Sequence, residues 1–456
     1  MEYDVAIIGG GPGGYVAGIR AAQRQLKTVL FEKNKLGGTC LNVGCIPTKV
    51  LVKNAEILHA IRNAASRGIV ADPPVIDMRQ MLAAKQAIVD RLTSGVEALL
   101  KSNGVEVVCS EAHVTSTHTL EANGREYSFK NLIIASGSSN YIPPIPGLSG
   151  SGILTSTELL ELEEIPATLA IIGGGVIGCE MATIYSSLGS EVTVIEMQPR
   201  LLPLMDKTLS LSLKQSFAAR GIRVLTKCGV SGVSAENGRY VVEVSGGKDS
   251  TFTADKVLVS VGRKANLAGL DALGLELAGG YLKVDDRMAT SIGNIYAVGD
   301  ITGIIQLAHV ASAQAIIAAE NIARGESAMA YDKVPGCVYT IPEIGSVGLT
   351  EDKAKEVYGD VVVSKFPLMA CGKAVAMGET EGFVKLVAEA DTGRLLGCHC
   401  MGAAATEIIA EAALALQNGN TIQDISHTIH AHPTISESIA EAAHLAEGMP
   451  IHMAPR

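Results

Sequence analysis

One pattern constrains this chain more than any other, and it occurs twice. A short apolar run leads into a glycine loop of spacing GxGxxG, then a helix, then a second apolar run that ends on a carboxylate. The first copy reads "DVAII", "GGGPGG", "YVAGIRAAQRQ" and "KTVLFE", with Gly9, Gly11 and Gly14 in the motif positions and Glu32 at the end. The second reads "LAIIGG", "GVIG", "CEMATIYSSLGS" and "EVTVIE", with Gly173, Gly175, Gly178 and Glu196 in the same places. Glycines allow the tight turn and the close approach of backbone to a pyrophosphate, which then sits on the positive end of the helix. The carboxylate about 20 residues on accepts from ribose hydroxyls. A lone GxGxxG is a weak signal, but here the whole strand, loop, helix and strand context is present in both copies. Two dinucleotide sites imply a flavin and a nicotinamide that exchange a hydride. Glu196 suits a free 2′-hydroxyl and repels a 2′-phosphate, so the second unit is expected to prefer NAD to NADP.

At 456 residues the chain is long enough for about three folding units. The Pro-rich run at 142–147, "IPPIPG", can continue neither a helix nor a central strand and reads as a connection between units. A β segment, "DKVLVSVGRKAN", closes the second unit near residue 266, and the last 120 or so residues mix strands with helical stretches at 406–417 and 436–446. The expected fold class is α/β, with two Rossmann-like units and a C-terminal α+β domain. A formal charge of -10, with no basic tract and no tryptophan, argues against nucleic acid or an anionic membrane as partner. Glycines interrupt the apolar sequence often enough that no window offers the roughly 18 apolar residues of a membrane span. "MEYDVAIIGGG" enters a strand at once and leaves no room for a leader, so a cytoplasmic location is expected.

Nine cysteines in so long a chain are too sparse for a secreted disulfide framework, and most are expected to be small buried apolar side chains. Cys40 and Cys45, in "LGGTCLNVGCIPTK", stand apart. A zinc site needs about four ligands, and no second Cys or His pair lies nearby at ligand spacing. A structural disulfide closing so small a loop constrains the unfolded chain little and is reduced in a cytosol. A redox-active pair fits better: the glycines permit entry into a helix that carries the thiols near its N-terminal end, where the dipole favours thiolate. Pro47 is expected to weaken a backbone bond of that helix.

The string from Gly37 to Lys49, together with both glycine loops, "AVGD" at 297–300 and "HAHPTISE" at 430–437, resembles the pyridine-nucleotide disulfide oxidoreductases. The likeness covers essentially the whole chain in order. It implies an FAD-binding domain at 1–147, an NAD-binding domain at 148–266, a central domain completing the FAD site at 267–335 and a dimerisation domain at 336–456. Cys40 then matches the thiol that meets substrate and Cys45 the thiol against the flavin. Lys49 matches the lysine beside the flavin ring, where a cation stabilises negative charge, and Glu180 the glutamate that approaches it. Asp300 matches the aspartate on the flavin ribitol, and Ala308 with His309 the backbone beneath the ring. Thr39 and the backbone of Ala135, Ser136 and Gly137 are expected to line the FAD site. Ala112 stands near the adenine, where a glycine is often found. Gly262, with Arg263 beside it, falls where the family's second unit touches NAD.

His432 and Glu437, in "HPTISE", match the family's acid–base pair: Glu437 takes the imidazole N–H and raises its basicity, which a thiol of ordinary pKa near 8.5 requires for fast reaction. His430 is the rival and lacks the spacing to Glu437. In the family this histidine reaches the cysteines of the other subunit, so the resemblance implies a homodimer. Within the family the chain is most similar to members that oxidise dihydrolipoamide, carried on a lipoyl domain of a 2-oxoacid dehydrogenase complex or a glycine cleavage protein, and reduce NAD. A glutathione-type reductase running from NADPH is disfavoured by Glu196. A mercuric reductase would want a further C-terminal cysteine pair, and a transhydrogenase or NADH oxidase would not need both Cys40 and Cys45. A non-catalytic NADH-binding flavoprotein sensor is disfavoured because Cys40, Cys45, His432 and Glu437 all remain. Cys398 and Cys400 are expected to be core or interface strand residues, and no metal is expected.

Overall fold

The computed structural model describes residues 2–150, 152–246, 250–325 and 327–454. Its apolar runs become the centres of sheets. "DVAII" lies in the strand Glu2–Ile8, flanked in parallel by Thr28–Phe31 and Arg125–Ile134, with Ile7 in register with both Leu30 and Ile133. A strand covered on both faces has no need of alternation, which explains the continuous apolar sequence. Glu106–Val108 extends this sheet at one edge, and the antiparallel strands Thr119–Ala122 and Ala112–Val114 extend it at the other. The second unit repeats the plan: Arg223–Thr226, Glu191–Glu196, Thr168–Ile172, Lys256–Val259 and Ile153–Leu154 form a parallel sheet in that order.

Corresponding backbone bonds recur in the two units. Gly9 donates to Phe31 and Gly173 to Ile195, at 2.8 and 2.9 Å. In each unit the third motif glycine sits where the helix crosses the strand. A Cβ on Gly14 would lie 1.7 Å from the Gly9 carbonyl oxygen, and one on Gly178 would lie 1.9 Å from that of Gly173. These two glycines set helix against sheet by close packing and do not line the cavity described below.

After residue 266 the chain returns to the first sheet. Ile295–Ala297 pairs in parallel with Arg125–Ile134, and the helix Ala308–Ala323 packs on the helix Pro12–Gln23. The C-terminal part is an antiparallel sheet of Gly336–Val338, Ile344–Gly348, Leu395–Met401, Phe383–Glu389 and Val361–Pro367, backed by the helices Ala405–Asn418 and Glu437–Ala446. Cys398 and Cys400 are buried in its Leu395–Met401 strand. One apolar cluster unites all these parts, joining Leu51 and Leu58, Met181 and Leu213, and Val338 and Phe383.

The cysteine segment differs from expectation. It forms two helices, Gly38–Val43 and Cys45–Asn63, broken at Gly44, and not one. Pro47 therefore lies in the first turn of the second helix, where the missing N–H has no acceptor within the helix to lose. It weakens no backbone bond. No helix among the described residues is long and apolar enough to cross a membrane.

Gly178→Ala and Gly175→Ala separate two uses of glycine. A Cβ at Gly178 is overpacked and is expected to cost about 3 kcal/mol or more, whereas a Cβ at Gly175 meets nothing within 4 Å. Thermal melts should show a clear drop in midpoint for the first variant and almost none for the second.

Candidate active site

A continuous cavity of about 2060 Å³ runs along the ends of both parallel sheets. That is roughly twice the upper end of an ordinary ligand pocket, ~1,000 Å³, and so suits two large ligands. Gly9, Gly11, Glu32, Thr39, Ala112, Ala135, Ser136, Gly137, Asp300, Ala308 and His309 line it from the first unit and the segment that returns to it. Gly173, Gly175, Glu196, Gly262 and Arg263 line it from the second, and Cys40, Cys45, Lys49 and Glu180 also face it.

The residues present fit dinucleotides. Both helices that open from the glycine loops, Pro12–Gln23 and Val176–Leu188, lack a side-chain cap, which leaves first-turn N–H groups for a phosphate. The two carboxylates are held in one geometry. Glu32 accepts from the N–H of Gly10 and of Asn34, each at 2.7 Å, and Glu196 accepts from the N–H of Gly174 and of Gln198, each at 2.6 Å. Each oxygen keeps a lone pair for a ribose hydroxyl. Each carboxylate thus braces the glycine loop of its own unit.

Cys40 lies in the first turn of Gly38–Val43 and Cys45 begins Cys45–Asn63; both are half-buried free thiols. Lys49 follows Cys45 by four residues, on the same helix face. Its Nζ donates to both oxygens of Glu180, at 2.9 and 3.0 Å, and lies 4.3 Å from the centre of the Tyr339 ring. The Cys45 thiol is held below its ordinary pKa, first by the hydrogen bond from Cys40 and then, against burial, by the Lys49 cation. The same hydrogen bond, with burial and the Cys45 charge, pushes Cys40 up. The two shifts are opposite, so Cys45 is the more acidic thiol of the pair and Cys40 the one that holds its proton longer.

Asp300 belongs to a network that sequence reasoning missed. Ser138 donates to Asp300 at 2.5 Å, while Arg263 donates to the Ser138 hydroxyl at 2.6 Å, to the Ser138 carbonyl at 2.7 Å and to Asn140 at 2.8 Å. The Arg263 guanidinium is thus committed to the first unit's side of the cavity. The antiparallel pair Ser138–Asn140 and Arg263–Ala265 makes this possible, and no local signal marks it. Tyr339, also missed, donates its backbone N–H to Glu180 at 3.0 Å. His309 lines the cavity with its ring hydrogen-bonded to the Pro335 carbonyl at 2.8 Å.

His432 and Glu437 do not line this cavity. His432 Nδ1 meets Glu437 Oε1 at 2.8 Å, with the imidazole side chain 77% exposed. Burial raises the Glu437 pKa, but the Thr434 N–H at 2.7 Å and the imidazole outweigh it and hold the group below the usual range. An ionised Glu437 only accepts, so the neutral ring carries its proton on Nδ1 and leaves Nε2 as a free base. His430 has no such free nitrogen: its two ring nitrogens face Thr428 O and Glu411 Oε1, both at 2.8 Å. No cluster of metal-ligating side chains occurs among the described residues.

The family described as pyridine nucleotide-disulphide oxidoreductase matches residues 3–315, and its dimerisation domain matches 334–443. The chain belongs to the pyridine nucleotide-disulphide oxidoreductases. Its relatives in this family include dihydrolipoyl dehydrogenases from Chlamydia pneumoniae, 41% identical over 100% of this chain and 99% of that one, and from Thermus scotoductus, 42% identical over 100% and 99%. Among solved members, LpdA from Mycobacterium tuberculosis superimposes with a TM-score of 0.90 at 29% identity over 97% of this chain and 99% of that one. The HOCl-induced flavoprotein disulfide reductase RclA from Escherichia coli gives 0.87 at 28%, over 97% and 100%. The α/β fold with its C-terminal dimerisation domain is that of the disulphide oxidoreductases.

The thiol pair of this oxidoreductase gives a direct test. Cys40→Ala removes the leading cause of the low Cys45 pKa. The pH midpoint for alkylation of Cys45 by iodoacetamide, followed by peptide mass spectrometry, should therefore move up; an unmoved or lower midpoint contradicts the geometry.

Proposed function

We propose that this chain is a dihydrolipoyl dehydrogenase, oxidising dihydrolipoyl groups on a lipoyl-bearing protein and reducing NAD through Cys40 and Cys45. The observation that carries the reading is the thiol pair with Lys49 on one cavity fed by two glycine loops; the full-length likeness to dihydrolipoyl dehydrogenases supports the substrate. FAD held by Gly11, Glu32, Asp300 and the 135–137 backbone supplies a two-electron carrier between the dithiol and NAD held by Gly175 and Glu196.

The chain's own residues perform the sulfur and proton chemistry. His432 Nε2 takes a proton from one substrate thiol, with Glu437 stabilising the imidazolium. The substrate thiolate attacks Cys40 Sγ of the oxidised pair; the new S–S bond forms as the Cys40–Cys45 bond breaks, and Cys45 departs as a thiolate. The second substrate thiol, once deprotonated, attacks its own mixed-disulfide sulfur, closes the lipoyl ring and releases Cys40, which takes up a proton. Substrate loses two electrons and the Cys pair gains them. Lys49, braced by Glu180, stabilises negative charge beside the Cys45 thiolate.

Because His432 lies off the cavity that Cys40 lines in one chain, the complete site requires a second copy, and we take the working form to be a homodimer assembled through the 336–456 domain. The division into FAD, NAD, central and interface domains, at 147, 266 and 335, is supported by the sheets each segment joins. A cytoplasmic location is in keeping with the sparse, free cysteines, which a reducing compartment keeps as thiols.

Purified protein should oxidise dihydrolipoamide with NAD and fail to reduce oxidised glutathione with NADPH; activity only in the second pair overturns the reading. His432→Gln should lower lipoyl turnover by about 10²–10⁴-fold. Cys45→Ser should abolish it while NADH oxidation by an artificial acceptor persists.

A further inference from the structure

The short segment between the second nucleotide strand and the helix Lys207–Ala219 ends on a carboxylate the chemistry above does not use. Asp206 is 1% exposed and caps that helix through the Thr208 N–H at 2.9 Å. It also reaches out of its own unit. Lys385 Nζ, in the dimerisation-domain strand Phe383–Glu389, donates to both Asp206 oxygens at 2.9 and 3.0 Å, and the Glu351 N–H, at the start of a helix in the same domain, donates to Oδ2 at 3.1 Å. Lys385 is 2% exposed, so no water replaces these contacts. Its other partners are Glu351 Oε2 at 2.7 Å and the Thr208 hydroxyl at 3.1 Å.

The residues just before Asp206 face the cavity. Leu202, Pro203, Leu204 and Met205 line the cavity, and the Leu202 N–H donates to the carbonyl of Gly174 in the glycine loop at 2.9 Å. Leu202 itself is held at φ +47, a left-handed conformation that a leucine keeps only when its surroundings over-determine it. One end of the segment is fixed to the glycine loop. The other is fixed, through Asp206, to the dimerisation domain. A buried ion pair is weak support for stability compared with an apolar pair of the same shape, and its attested use is to specify geometry.

We propose that Asp206, with Lys385, is a positioning residue for nicotinamide-nucleotide binding: the pair clamps segment 201–206 in the shape that lines the NAD side of the cavity. This rests on the NAD assignment of the second loop made under the proposed function, but not on the lipoyl substrate. It also makes the dimerisation domain a structural support of the nucleotide site.

The test uses the full-length, FAD-loaded protein. NADH is titrated by fluorescence against wild type, Asp206→Asn and Glu356→Gln, and reduction of each by dihydrolipoamide is followed anaerobically at the flavin band without NAD. Asp206→Asn keeps an oxygen for the helix cap and is expected to weaken NADH at least about fivefold, with the dihydrolipoamide half-reaction within about twofold of wild type. Glu356→Gln breaks an exposed ion pair with Lys353 on the same dimerisation-domain helix, outside the clamp, and should bind NADH like wild type. If the single variant does not fold, Asp206→Asn/Lys385→Met, which removes both buried charges and leaves Glu351 paired with Lys355, is expected to show the same selective loss. Unchanged NADH affinity in Asp206→Asn, equal losses in Asp206→Asn and Glu356→Gln, or equal losses in both half-reactions overturn the proposal. Failure of every variant and of wild type to react with dihydrolipoamide rejects the substrate reading and leaves the NADH result standing.

Discussion

One carboxylate joins the three parts of this molecule. Glu180, in the helix that opens from the second glycine loop, accepts from Lys49 of the cysteine helix and from the backbone of Tyr339 in the C-terminal part, and it is 4% exposed. A carboxylate so deeply buried is costly unless it is paired and hydrogen-bonded. Pairing it with Lys49 fixes the helix that carries Cys45, and with it the position of the thiols against both nucleotide arms of the cavity. The Tyr339 ring then covers the same ammonium, so a single charge arrangement determines how the units face one another at the chemistry.

Around that junction the two nucleotide units solve the same problem with the same atoms. Each glycine loop receives a carboxylate from the end of the neighbouring strand, and each helix crosses its strand at a contact that only glycine permits. The C-terminal sheet has a different task. Its strands bring Lys385 to Asp206 and its last helix brings Glu437 to His432, while among the described residues it lines the cavity itself only near Gly336, Cys337 and Tyr339.

Much of this was legible in the chain. Glycine spacing marks both loops because the steric demand there is local, and Glu32 and Glu196 follow at a distance that the strand and helix lengths dictate. The pairing of His432 with Glu437 was legible for the same reason: five residues of chain span it. Ser138, Asn140, Tyr339, Asp206 and Lys385 carried no comparable mark. Each acts through a partner more than 100 residues away in the chain, and a serine or lysine destined for such a contact looks like any other. The break of the cysteine helix at Gly44 was also missed, since "GCIPTK" is as compatible with one helix as with two.

By itself, the sequence determined the α/β class, the two dinucleotide units, the singular place of Cys40 and Cys45 and the pairing of His432 with Glu437, because each rests on residues close in the chain whose spacing answers directly to backbone geometry. Only the tertiary structure decided which thiol is the more acidic, what Arg263 and Asp300 hold, and that His432 stands apart from the cavity of its own chain. Those depend on distances between segments far apart in sequence, set by the packing of whole sheets, and electrostatic effects on a buried group follow those distances and not the order of residues.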